Sequence, residues 1–238
     1  MNILAIGNSF SCDATRYLHD IARARGVNIE VANLYIGGCP LDRHFRNMLS
    51  GERAYELYYN GHGTGFAMSL KEALLNREWD IITIQQASHL SFRKESYIPY
   101  AETLAEYVRS CAPKAKIFMH ETWAYEDGSA RLHDVAGYEK AEDMLQDIKK
   151  AYHEIADELE LDGFIPSGEM LYKLTESGIP KIHRDTFHAS FGLGRYALGL
   201  LWYHIITGES VKDDTYCDLD EFASAEELAI ARSCVDSF

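Results

Sequence analysis

The chain has 238 residues, long enough for one sizeable core, and its 47% hydrophobic and 25% charged content is that of an ordinary globular protein. A formal charge of −14 argues against a nucleic-acid partner, since phosphate binding needs a basic surface, and the absence of a run of about 18 apolar residues excludes a membrane-spanning helix. Five scattered cysteines (Cys12, Cys39, Cys111, Cys217 and Cys234), odd in number and without a Cys-x-x-Cys pair, read as reduced thiols of a cytoplasmic protein.

Residues 3–6 form a short apolar run ending at Gly7, the pattern of a buried parallel strand. This apolar start lacks the basic leader of a signal peptide. Residues 12–26 follow with Tyr17, Leu18, Ile21 and Ala22 at helical spacing and Gly26 as a stop. A second strand is expected over 28–35, closed by Gly37 and Gly38. The segment 42–68 carries no clear period, and Gly61, Gly63 and Gly65 mark a loop in it. A helix over 69–78 is announced by Ser69 and Glu72, spaced as a capping box. The remaining expectations are strands at 80–85, 116–120 and 164–165. Helices are expected over 97–111, 137–159, 167–176, 189–207 and 224–235. This alternation predicts an α/β three-layer sandwich around a central parallel sheet of about five strands. No linker, low-complexity run or repeat divides residues 1–238, so a single domain is expected.

In open parallel sheets ligands sit beyond the carboxyl ends of the strands. The first strand ends in Gly7-Asn8-Ser9-Phe10-Ser11, which puts Ser9 in a strand-to-helix turn with its hydroxyl exposed. Its backbone N–H, at a helix N-terminus, suits a developing oxyanion. A serine here also serves simply as a helix cap. Far along the chain, Asp185-Thr186-Phe187-His188 offers an imidazole to take a serine proton and a carboxylate to orient it. Gly38 ends the second strand, where a glycine lets an N–H approach a substrate oxygen. Gln85-Gln86-Ala87-Ser88-His89 ends the third and supplies amide donors.

Together these blocks resemble the SGNH, or GDSL-type, hydrolase superfamily. Gly7-Asn8-Ser9-Phe10 is similar to its first block, with Asn8 where aspartate is usual. Gly38 matches the glycine of the second, and Asp185-x-x-His188 matches the last. More narrowly, the Gly-Asn-Ser-Phe form is similar to a bacterial branch of that superfamily. The resemblance implies a flavodoxin-like sandwich, a Ser9–His188–Asp185 triad and an oxyanion hole built by Ser9 and Gly38. The family's third block normally adds an asparagine, yet no asparagine follows Asn76. Counting along the strand puts its position near Ser88 or His89. Related carbohydrate esterases use a glutamine at this strand end, and by that analogy Gln85 is the expected third donor. Gln86 is the alternative, since strand alternation lets only one point to the site.

Further candidate substrate contacts are Gln86, Ser88, His120 and Trp123, with Trp123 and Tyr125 either stacking on a sugar face or packing under a loop. His44, His62 and His89 are candidates for a polar wall. No His-Glu-x-x-His, Gly-x-Gly-x-x-Gly or Gly-x-Ser-x-Gly occurs, so neither metal nor dinucleotide cofactor nor α/β-hydrolase elbow is implied. The expected function is a serine esterase that removes small acyl groups, acetyl first, from a carbohydrate or other small-molecule ester. A thioesterase or lipase, and a non-catalytic carbohydrate-binding protein on the same scaffold, are the alternatives.

Overall fold

The computed structural model describes residues 1–238. The first strand, β1 (Asn2–Gly7), lies at the centre of the sheet because its residues are apolar on both faces, and Ile3 to Ile6 are buried. Helices α1 (Ser9–Thr15) and α2 (Leu18–Ala24) follow, and β2 (Glu30–Tyr35) pairs parallel to β1. The expected single helix over 12–26 is thus two short ones. Next come α3 (Leu41–Ser50), β3 (Tyr55–Tyr59), β4 (His62–Met68) and α4 (Leu70–Asn76). The strand β5 (Ile81–Ile84), helix α5 (Tyr100–Cys111) and strand β6 (Lys116–His120) continue the alternation. The chain closes with α6 (Ala141–Glu158), β7 (Gly163–Ile165), α7 (Ser167–Glu176), α8 (Leu193–Thr207) and α9 (Ala225–Val235).

The protein is a mixed α/β fold whose seven-stranded sheet has the order β4-β3-β2-β1-β5-β6-β7, flanked by helices. Five strands, β2-β1-β5-β6-β7, are parallel, as the sequence predicts. The two further strands were not expected: β3 and β4 form an antiparallel hairpin that extends the sheet from β2. Gly61, Gly63 and Gly65 therefore belong to this hairpin rather than to a loop. Its alternation is weak because β4 is an edge strand with most residues exposed, so no apolar period marks it. Gly61 is obligatory at the turn. Its φ is +82°, and a Cβ there would lie 2.1 Å from the Arg16 carbonyl oxygen.

Capping boxes start α4 at Ser69/Glu72 and α9 at Ser224/Glu227. Helix α8 is apolar around most of its circumference and packs against α1, α2, α7 and α9, which explains why it shows no polar face. Gly199 permits the approach to α2, since a Cβ there would sit 3.0 Å from Ile21 Cδ1. One hydrophobic cluster of 64 buried residues fills the layers between sheet and helices. No helix is long and apolar enough to cross a membrane.

Candidate active site

The carboxyl ends of β1, β2 and β5 open onto a cleft of about 360 Å³. Ser9, the first residue of α1, lies in it because Asn8 ends the strand and caps the helix, its Oδ1 accepting from Phe10 N–H at 3.0 Å. Opposite stands the loop from Ile182 to Ser190. It is a narrow hairpin closed by Ser190 N–H to the Ile182 carbonyl (2.7 Å) and Arg184 N–H to the His188 carbonyl (3.0 Å). At its tip Thr186 adopts φ +75°, a left-handed conformation that turns the chain sharply between Asp185 and His188.

That turn folds Asp185 back onto His188. Asp185 Oδ1 accepts from the His188 backbone N–H at 2.9 Å, and Oδ2 lies 2.8 Å from His188 Nδ1. With the Nδ1 proton donated to the carboxylate, Nε2 is left to accept from the Ser9 hydroxyl, 2.8 Å away. Partial burial would raise the Asp185 pKa, but the bonds from the His188 ring and backbone outweigh it and hold the carboxyl below its ordinary value. The structure thus brings together Ser9, His188 and Asp185, three residues spread over 179 positions of sequence.

Two backbone donors face the cleft from the same rim. Gly38, at φ +59°, and Ser9 both line it, and neither N–H has an acceptor within the protein. Asn8 ties these two loops together by donating from Nδ2 to the Cys39 carbonyl at 3.2 Å.

The expectation for Gln85 is corrected. Its side chain points under the cleft: Nε2 donates to Asn8 Oδ1 at 2.9 Å and Oε1 accepts from His120 Nδ1 at 2.9 Å. Gln86 is no substitute, since its Oε1 accepts from Leu41 N–H and its Nε2 donates to Ser96. Of the two glutamines neither reaches the cleft, because both amides are consumed in anchoring loops. His120 is also buried, with Nε2 accepting from Ser167 Oγ at 3.0 Å, and burial pushes its pKa down to about 3. Trp123 lies beneath the site, stacked on Phe10 (ring centroids 4.1 Å apart) and donating from Nε1 to the Phe187 carbonyl, so it offers no face to a sugar. Tyr125 is buried as well.

Ser88 does line the cleft, its Oγ 3.0 Å from the Tyr125 hydroxyl, and His89 lies beside it. The position count from Asp80 therefore located the rim better than the glutamine analogy did. The histidine wall does not form: His44 is buried against Tyr55, and His62 is exposed on β4. Sequence reasoning missed Arg131, Arg184, Tyr35 and Phe187, all on the cleft wall. Arg184 and Phe187 flank or lie within the recognised Asp185–His188 block and were within reach; nothing local marked Arg131 or Tyr35. Acidic and imidazole groups also converge away from the cleft, where Glu121, Glu169 and His153 each bring a ligand atom within 4.8 Å of the others. There Lys149 already pairs with Glu169 at 2.7 Å.

The family model for a domain of unknown function, DUF4886, matches residues 2–236. This chain belongs to the DUF4886 family. A crystal structure of a DUF4886 protein from Bacteroides uniformis superposes with a TM-score of 0.92 at 30% identity, covering 100% of this chain and 93% of that one. More distant structures share the fold. One is a protein from Slackia heliotrinireducens described as a candidate SGNH hydrolase, with TM-score 0.60, 20% identity, and 87% and 98% coverage. Another is Axe2, an acetylxylan esterase from Geobacillus stearothermophilus, with TM-score 0.53, 18% identity, and 87% and 94% coverage. No curated protein sequence matches the chain. The DUF4886 fold is thus similar to that of SGNH hydrolases.

Proposed function

We propose that this DUF4886 protein is a serine esterase acting on small acyl esters, acetyl esters first among them. The observation that carries the reading is the unbroken hydrogen-bond line Ser9–His188–Asp185, both links at 2.8 Å, beside two N–H groups without acceptors. In the acylation step Ser9 Oγ bonds to the ester carbonyl carbon as His188 Nε2 takes its proton. The N–H groups of Ser9 and Gly38 stabilise the oxyanion, with the Ser88 hydroxyl as a third donor in place of Gln85. The bond to the alcohol oxygen then breaks as His188 returns the proton to it. Water repeats the sequence to release the acid and free Ser9.

The short-acyl preference draws on the size and openness of the cleft, which has no long apolar groove for a fatty chain, and on the likeness to Axe2. The carbohydrate preference rests on that likeness alone, since Trp123 is buried.

A fluorophosphonate should label Ser9, and Ser9→Ala should lower p-nitrophenyl acetate turnover by about 10⁴-fold or more. Equal turnover by the two proteins would leave only the binding-protein alternative. Activity on p-nitrophenyl octanoate but not on acetate would favour the lipase.

A further inference from the structure

In a chain with 37 acidic against 23 basic residues, the cleft wall contains Arg131, Arg184, His89 and His188 and no aspartate or glutamate. The permanently charged side chains on this wall, Arg131 and Arg184, are both cationic. Arg184 is committed to Asp13, because its Nη1 donates to both carboxylate oxygens at 2.9 and 3.0 Å. Arg131 is not. Its guanidinium carbon sits 3.6 Å from the centroid of the Phe187 ring, it makes no ion pair, and its buried Nε has no hydrogen-bond partner. A guanidinium held on an aromatic face keeps its fork of donors preorganised while leaving them unused. Arg131 also opens the only π-helical turn of the chain, Arg131–Ala136, a geometry concentrated at functional sites. At His89, exposed on the rim, partial desolvation first and then the nearby Arg131 charge lower the imidazole pKa.

We infer that Arg131 is an anion subsite, and that the ester hydrolysed carries a carboxylate or a phosphate on its alcohol half. The alcohol half is assigned by direction. Arg131 rests on Phe187, whose ring centroid is 3.8 Å from that of His188, and His188 is the group that must face the departing oxygen. The Ser9 and Gly38 N–H groups belong to the β1 and β2 ends instead. This inference rests on the esterase reading above.

The test uses the whole chain and three acetate esters: 4-acetoxybenzoate, 4-acetoxyphenyl phosphate and the neutral 4-acetoxybenzamide. A charge-assisted contact predicts that the ratio of kcat/KM for an anionic over the neutral ester is about 10- to 100-fold higher in wild type than in Arg131→Gln. Arg131→Lys should recover part of it. Whichever anion shows the larger ratio identifies the headgroup. Taking the ratio within each variant cancels any general loss of activity or folded protein. A ratio unchanged in Arg131→Gln would overturn the inference and leave the esterase reading standing. An Arg131-dependent preference for p-nitrophenyl hemisuccinate, charged on the acyl half, would overturn the assignment to the alcohol. If Ser9→Ala hydrolyses all three esters as wild type does, both readings fall together.

Discussion

Asn8 shows how one side chain can set the geometry of the proposed site, by holding the Ser9 turn to the Gly38–Cys39 loop. The related blocks usually have aspartate at this position. An aspartate could accept from Phe10 N–H but could not donate to the Cys39 carbonyl, as the Asn8 amide does. Its Oδ1 in turn is held by Gln85, which is held by His120, and His120 by Ser167. This buried polar chain links the ends of β1, β5 and β6 to the start of α7, and each side-chain nitrogen and oxygen along it has at least one partner. Gln85→Leu would leave Asn8 and His120 each short of a partner. Urea unfolding should show a loss of about 2–4 kcal/mol. The fraction that stays folded should lose far less than the ~100-fold in kcat expected on deleting an oxyanion donor. A loss of that size in fully folded protein would restore Gln85 to the oxyanion hole.

Between elements, the 182–190 loop is registered on α1 by ion pairs. Asp13, on α1 one turn beyond Ser9, is buried and receives Arg184 from the 182–190 loop and Arg195 from α8. Both contacts are at 2.9 Å. Arg195 and Arg16 then share Asp220, so four elements meet in one network. Because Ser9 and His188 come from segments this far apart in sequence, their 2.8 Å contact depends on this clamp. Asp13→Asn would leave two largely buried guanidinium groups without their shared carboxylate, a change that typically costs about 3–5 kcal/mol. The expected result is a clear fall in melting temperature together with a lower kcat on p-nitrophenyl acetate. Wild-type stability in this variant would show that the loop is held by its backbone bonds alone.

For the whole molecule, burial fixes a pH dependence of opposite sign on two sides. Burial pushes His44 and His120 down to about 3 and His183 to about 4. These folded values lie below the ordinary imidazole value, so the stability they contribute is present above pH 6.5 and lost as pH falls through 4 and 3. Glu121 behaves oppositely. Burial, then the charge of Glu169, raises its carboxyl to about 8, so its contribution is present below pH 4.5 and lost as pH rises through 8. Stability should therefore be greatest near pH 6.5. The acid limb, where three imidazoles outweigh one opposing carboxylate, should be the steeper of the two. Urea titrations at pH 5, 6.5 and 8 measure both limbs. Glu121→Gln should flatten the limb between 6.5 and 8, and an undiminished slope would assign it to another group.

Several of these features were legible in the chain. The five parallel strands announced themselves because burial on both faces demands continuous apolar runs, as in Ile81–Ile84. The capping box at Ser69 depends only on residues three apart. Ser9, and the Asp185–His188 spacing, were visible for the same reason: a strand-to-helix turn and a four-residue loop are local geometries. The β3–β4 hairpin was hidden because its outer strand, β4, borrows order from β3 and buries little of its own. The roles of Gln85, Trp123 and Arg131 lay beyond the sequence on another ground. Whether an amide faces a cleft or a buried histidine, and whether a guanidinium finds a carboxylate or only a ring, depends on what segments remote in sequence bring beside it. Chain-local chemistry determined the strands, the caps and the candidate residues. Tertiary packing alone decided which of them face the cleft and what charge that cleft carries, because burial and pairing are properties of neighbours in space.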